Sequence, residues 1–126
     1  MMKRLRSSYN RVTPFITKDG SVIRELMHPN VHGNRKQSLA EAIVPPESAT
    51  VLHRHHHSEE LYHITAGEGL MRLGEDEFTV TVGDTICIPP GIAHSLSNPG
   101  QTELRLLCSS SPPYSDEDTE LLVESA

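Results

Sequence analysis

The chain of 126 residues contains no tryptophan, and aromatic residues make up only 4% of it. Because its formal net charge is −6 as well, the scarcity of stacking side chains argues against a nucleic-acid-binding protein. No apolar run exceeds the three residues of stretches such as 42–44, which are far too short to cross a bilayer. The sequence therefore predicts neither a nucleic-acid partner nor a membrane partner.

Cysteine is also scarce. Cys87 and Cys108 are the two cysteines, and neither belongs to a CxxC pair, so the sequence indicates no disulfide scaffold. The basic stretch 1–11 is not followed by an apolar segment, which argues against a secretory signal. We therefore expect a cytoplasmic protein whose thiols stay reduced.

Charge is concentrated at the two ends of the chain. The first eleven residues carry four positive charges, at Lys3, Arg4, Arg6 and Arg11. The last eleven carry five negative charges, at Asp116, Glu117, Asp118, Glu120 and Glu124. Short charge runs usually solvate a terminus, so we interpret them as solvated ends rather than as interaction tails. The length predicts one domain, 1–126, with an N-terminal arm over 1–20, a core over about 38–109 and an acidic tail over 112–126.

Short alternating runs separated by glycine and proline dominate the chain. They predict nine strands, over 21–27, 38–44, 50–57, 60–66, 70–73, 77–82, 85–88, 93–98 and 103–108. Evenly spaced short strands of this kind are typical of an all-β protein, an antiparallel sandwich or barrel. The tail offers one short helix candidate, with Ser115 as its N-cap and acidic residues in its first turn.

Histidine is the residue type that stands out. Five of the eight histidines fall within 53–63. On a strand, His53, His55 and His57 share one face, so two imidazoles at positions i and i+2 form a chelating pair. A carboxylate on the next strand, either Glu59 or Glu60, supplies a further candidate ligand, and the residues alone leave both open. Two histidines and one carboxylate suit iron, zinc, nickel, cobalt or manganese.

A second constellation lies at 83–94. A predicted strand runs into Pro90-Gly91, which fits the central positions of a type II turn, and His94 follows three residues later. Such a turn sets the direction of the next strand. We therefore expect it to aim His94 inward.

These residues resemble the two motifs of the cupin superfamily. The first motif is matched by His53-x-His55, four residues, Glu60, six residues and Gly67. The second is matched by Gly83, five residues, Pro89-x-Gly91, two residues, His94, three residues and Asn98. The fifteen residues between Gly67 and Gly83 match the spacing of small, single-domain cupins. One position departs from the pattern, because Glu47 stands where the first motif normally begins with glycine.

The resemblance implies a small antiparallel β-barrel of the jelly-roll type. It implies one divalent first-row metal ion, which is iron, zinc, nickel or manganese, held by His53, His55, Glu60 and His94. Here the family spacing to Gly67 selects Glu60 over Glu59.

For function, the resemblance implies a metalloenzyme that acts on a small, oxygen-rich organic molecule. Tyr62 shares a strand face with Glu60, and we expect Tyr62 or His57 to donate or accept the proton. The tail pattern, with Pro-Pro-Tyr at 112–114 and Glu-Asp-Thr at 117–119, is similar to that of small cupins with oxygenase or polyketide-cyclase-like roles.

Other functions stay open at this point. The family also includes non-catalytic small-molecule binders and sensors, and proteins resembling sugar-phosphate isomerases or epimerases. A third alternative is a structural dimer stabilised by metal. Small cupins commonly cover an exposed edge strand by pairing with a second copy, so we expect a homodimer.

Overall fold

The computed structural model describes residues 5–122 as two antiparallel β-sheets whose inner faces share one hydrophobic core. The strands in chain order are β1 Phe15–Ile16, β2 Val22–Met27, β3 Ser38–Val44, β4 Ser48–Ala49, β5 His53–His55, β6 Glu59–Ala66, β7 Glu68–Leu73, β8 Asp76–Thr81, β9 Thr85–Ile88, β10 His94–Asn98, β11 Leu104–Ser111 and β12 Thr119–Leu121. A 3-10 turn, Tyr9–Arg11, precedes them. Lys3, Arg4 and Glu124 of the charged ends lie outside the described residues.

The strand order places segments from distant parts of the chain next to one another. The first sheet has the order β1-β2-β3-β11-β6-β9, and the second has the order β12-β5-β10-β7-β8 with β4 paired to β10. Every pairing is antiparallel, and β11 joins β3 to β6 along nearly its whole length. This is the all-β, jelly-roll arrangement that the sequence predicts.

Side-chain alternation gives the interior a polar end and an apolar end. On β6 the inward residues are Glu60, Tyr62 and Ile64. In the neighbouring strand β11, Ser110 pairs with Glu60 and Leu106 pairs with Ile64. The apolar end is closely packed, since Ile64 and Leu106 are almost fully buried. The polar end is therefore supported from below by a rigid core.

The predicted C-terminal helix is wrong within the described residues. The Ser115 hydroxyl accepts a hydrogen bond from the Asp118 backbone N–H at 3.2 Å, as an N-cap would. The chain then extends as β12 and pairs with β5, because the ladder satisfies its backbone groups better than one unsupported helical turn would. Among residues 5–122, no helix has the length and hydropathy needed to span a membrane.

Gly67 and Glu47 are two of the turn residues with left-handed backbone. Gly67 has φ of +79°, and a Cβ there would lie 2.5 Å from the carbonyl oxygen of Glu103, so only glycine fits. Glu47 has φ of +57° and is the one non-glycine residue with positive φ in the described chain. The position where the first cupin motif normally has glycine thus keeps the glycine conformation, although it holds a glutamate.

Because a non-glycine residue in this region carries a strain of about 1 kcal/mol, and a new glycine costs about 0.5 kcal/mol of backbone entropy, we expect Glu47→Gly to increase the free energy of unfolding by about 0.5 kcal/mol. Urea denaturation measures the change. As a control, Glu75→Gly alters an exposed turn residue without positive φ and should lower stability by about 0.5 kcal/mol. A loss of stability in Glu47→Gly would contradict the strain argument.

Candidate metal centre

Three buried imidazoles converge at the polar end of the interior. One ring nitrogen from each of His53, His55 and His94 lies within 4.8 Å of the others. His53 and His55 alternate inward from β5, and His94 opens β10 directly opposite His53 in register. The His53 and His94 rings are 4.2 Å apart between centroids, and His94 is 0% exposed.

Backbone carbonyls fix the tautomer of two of these rings. His53 Nδ1 lies 2.7 Å from the carbonyl oxygen of Val51, and His94 Nδ1 lies 3.0 Å from that of Ile92. A carbonyl oxygen can only accept, so each Nδ1 carries the hydrogen and donates it. Each Nε2 is left with its lone pair directed inward, as in metal sites where an outer hydrogen bond orients the ligand.

A threonine of the C-terminal strand has the same effect on His55. Its Nδ1 lies 2.9 Å from the Thr119 hydroxyl oxygen. The Thr119 hydroxyl donates its own hydrogen to the carbonyl oxygen of Ser115 at 2.8 Å, so its oxygen accepts from His55. β12 therefore orients the third imidazole, so that its Nε2 also faces the centre.

This donor set fits a divalent first-row metal ion. His94 Nε2 is a buried polar atom with no hydrogen-bond partner, which costs free energy unless something binds it. Three converging imidazole lone pairs on a rigid scaffold are the ligands that such ions prefer.

Glu60 adds a carboxylate to the three imidazoles. Its Oε1 lies 3.1 Å from His55 Nε2 and 3.4 Å from His94 Nε2, and Ser110 donates to its Oε2 at 3.4 Å. Burial alone raises the pKa of Glu60, but the hydrogen bond with His55 and the positive charges of His55 and His94 outweigh it and lower the pKa to about 2. His55 Nε2 therefore donates a proton to the ionised Glu60, and a bound metal ion would displace that proton. Glu59 is exposed, so the structure brings Glu60 and not Glu59 to the imidazoles.

Tyr62 lies next to this group on the inward face of β6. Its ring contacts His94 edge-on, with 5.9 Å between centroids. Burial, with the charges of Glu60 and Cys108, raises the pKa of Tyr62 well above its ordinary value. The Tyr62 phenol therefore keeps its proton and can act as a hydrogen-bond donor in the cavity.

His57 is not brought to the site. Its side chain is 83% exposed, and its Nδ1 lies 2.7 Å from Asp118 Oδ1. Strand alternation stops at His55, because the chain bends over 56–57 before β6 begins. The bend is held by Asp118, which accepts hydrogen bonds from the backbone N–H groups of His57 and Ser58 at 2.9 and 3.0 Å. The expected role of His57 in proton transfer thus has no geometric support.

Two carboxyl groups that the sequence analysis missed also line the cavity of about 50 Å³ beside the imidazoles. Asp19 Oδ2 lies 3.7 Å from His53 Nε2. Glu25 Oε1 is buried with no hydrogen-bond partner. Burial raises the pKa of Glu25, and the charge of His28 offsets part of that effect. The alternation of side chains along β2 puts Ile23 and Glu25 on one face, and this pattern could have indicated that Glu25 points inward. The pair Asp19-Gly20 indicates only a turn, so nothing in the sequence indicated that Asp19 lines the cavity.

Comparisons with known proteins identify relatives of this chain. The sequence profile of the cupin domain family matches residues 40–110. An uncharacterised protein of Methanocaldococcus jannaschii is 55% identical over 96% of this chain and 97% of its own. An oxalate-binding protein of Thermotoga maritima is 32% identical over 67% of this chain and 65% of its own. The polyketide cyclase RemF of Streptomyces resistomycificus has a similar fold, with a TM-score of 0.81 at 22% identity over 99% of this chain and 88% of its own.

We expect Asp118→Asn to lower the free energy of unfolding by about 1 kcal/mol near neutral pH, because it weakens hydrogen bonds to the bend. Burial raises the pKa of Asp118, but the hydrogen bonds from His57 and Ser58 outweigh it and lower the pKa overall. A lowered pKa stabilises the fold above the ordinary value and stops doing so as pH falls through the folded-state value. The difference in the free energy of unfolding between the wild type and Asp118→Asn should therefore become smaller below about pH 4.

Urea denaturation of both proteins across this pH range measures the difference. Asp76→Asn, at an exposed carboxylate of β8, is the control and should show little difference at any pH. If the difference in the free energy of unfolding between wild type and Asp118→Asn stays constant down to about pH 3, the charge of Asp118 does not stabilise the bend.

Proposed function

The chain belongs to the cupin domain family, and we propose that it is a metal-dependent protein acting on a small, oxygen-rich organic molecule. The observation that carries this proposal is the convergence of three inward Nε2 atoms, one of them buried and unpartnered. His53, His55, Glu60 and His94 would hold one divalent ion, which is iron, zinc, nickel or manganese.

When bound, such an ion acts as a Lewis acid toward oxygen atoms of the substrate. The protein's own residues orient that substrate. Tyr62 offers a hydroxyl hydrogen beside His94. Leu96 and Leu106 supply an apolar cavity floor that limits water around the substrate.

Within this class we favour an oxygenase or polyketide-cyclase-like reaction. The likeness to the polyketide cyclase supports this choice through the fold alone. A non-catalytic binding protein is the second candidate, supported by the relative that is named an oxalate-binding protein. The homodimer and the cytoplasmic location expected from the sequence stay predictions.

The first test is elemental analysis of protein purified without an affinity tag. We expect about one first-row metal ion per chain in the wild type and a loss of at least about tenfold in His94→Ala, because this variant removes one of the three converging imidazoles. His63→Ala alters an exposed histidine of β6 and should keep the metal. Thr119→Val removes the acceptor that orients His55 and should weaken metal affinity by about 10- to 100-fold in competition with a chelator.

Circular dichroism of each variant establishes that the fold is retained before metal contents are compared. If His94→Ala misfolds, Thr119→Val alone decides the question, since it preserves side-chain volume. Wild-type protein that takes up no metal when supplied with each of the four ions would refute the proposal.

Turnover is tested on catechols, 2-oxo acids and sugar phosphates. With an active substrate, Tyr62→Phe should lower kcat by about tenfold or more while metal content stays unchanged, because it removes one positioned hydrogen-bond donor. Tyr9→Phe changes an exposed tyrosine and should leave kcat unaltered. Ligand binding without turnover across the panel would favour the non-catalytic candidate.

A further inference from the structure

The cavity beside the imidazoles is lined by carboxyl groups without matching cations. Asp19, Glu25 and Glu60 all reach it, and within the described part of the chain no lysine or arginine lines it. Lys18 is adjacent in sequence to Asp19, but its ammonium donates to the carbonyl oxygens of Asp116 and Thr119 instead. Arg24, next to Glu25, extends toward Glu41 and Tyr9. Among residues 5–122, the lining therefore holds no permanently cationic side chain that would attract an anion.

Asp19 is held so that one oxygen faces the cavity. Its Oδ1 accepts three hydrogen bonds, from the Thr17 hydroxyl at 2.8 Å and from the Ser21 backbone and hydroxyl at 3.0 and 2.7 Å. Its Oδ2 faces His53, and the distance of 3.7 Å to His53 Nε2 is too long for a hydrogen bond. A loop with this many internal bonds presents that oxygen rigidly.

The charge of a bound ion would already be balanced by the protein. A divalent ion brings two positive charges, and the carboxylates of Asp19 and Glu60 offset both. Glu25, whether ionised or protonated, adds no positive charge. The centre as a whole therefore has no surplus charge with which to hold a dianion.

Two carboxylate oxygens of the cavity are free to accept hydrogen bonds from a ligand. Asp19 Oδ2 and Glu25 Oε1 lack partners at hydrogen-bond distance. The Ser110 hydroxyl donates to Glu60, and the Ser38 oxygen accepts from the Tyr114 backbone. Buried acceptors without donors are costly, and a ligand that brings O–H groups would satisfy them.

We infer that the cavity takes an uncharged hydroxycarbonyl or diol compound and discriminates against dicarboxylates and phosphate esters. This inference rests on the proposed function, because the metal site would anchor the ligand's oxygens. It separates the chain from its relative that is named an oxalate-binding protein. It also argues against the sugar-phosphate alternative raised by the sequence, because a phosphate group would meet three carboxyl groups and, among the described residues, no lysine or arginine.

Calorimetric titration of protein loaded with Zn²⁺, a redox-inert ion, tests the inference. The ligands are dihydroxyacetone, dihydroxyacetone phosphate and oxalate, so the first two differ only by the phosphate. We expect the neutral compound to bind about tenfold more tightly than either anion. A metal site without neighbouring carboxyl groups would bind the two anions more tightly than dihydroxyacetone.

Matched variants assign the preference to the carboxyl groups. Asp19→Asn and Glu25→Gln keep side-chain shape and should each strengthen anion binding by about threefold or more. Asp76→Asn alters an exposed carboxylate of β8 and should change nothing.

Zinc content is measured on the same samples, so the two proposals fail separately. Protein that binds no zinc refutes the metal site. Protein with full zinc that prefers an anion, or that binds none of the three compounds, overturns the inference and leaves the metal site standing. Titration of metal-free protein gives a further arm, in which binding of oxalate would by itself overturn the inference.

Discussion

The site depends on three outward-facing hydrogen bonds. The Nδ1–H groups of His53 and His94 donate to backbone carbonyl oxygens, and that of His55 donates to the Thr119 hydroxyl. Because these bonds orient the rings, all three Nε2 atoms point to one place. Loss of any acceptor would free its ring to change tautomer or rotate. The carbonyls are part of the backbone and the threonine lies on a paired strand, so the orientation comes from the fold itself.

The interior supports this arrangement by changing from apolar to polar along each inward face. On β6 the inward residues change from Glu60 through Tyr62 to the buried Ile64. On β11 they change from the polar Ser110 to the apolar Leu106. The close-packed apolar end therefore gives the polar end a rigid support. A carboxylate buried at that end is tolerated because His55 and His94 offset its desolvation.

Segments outside the central strands complete the cavity. The turn before β2 brings in Asp19, β2 brings in Glu25, and β12 brings in Thr119. The imidazoles and Glu60 define what kind of ion the site fits. The surrounding segments decide the charge and hydrogen-bonding character that a ligand meets. A shared metal-binding motif is therefore compatible with different ligands in related chains.

Alternating hydrophobicity and turn residues were enough to predict an all-β chain and most strand positions, because the period of two is a local property of an extended backbone. Histidine spacing likewise indicated His53, His55 and His94, while Glu60 was chosen over Glu59 only by family spacing. The place of Asp19, the tautomer of His55 and the outward turn of His57 were decided by the tertiary structure alone. Each depends on partners 34 to 64 positions away, as with Asp19 and His53 or with His55 and Thr119. Local patterns do not encode such separations, because the partner's position is set only when distant strands pair.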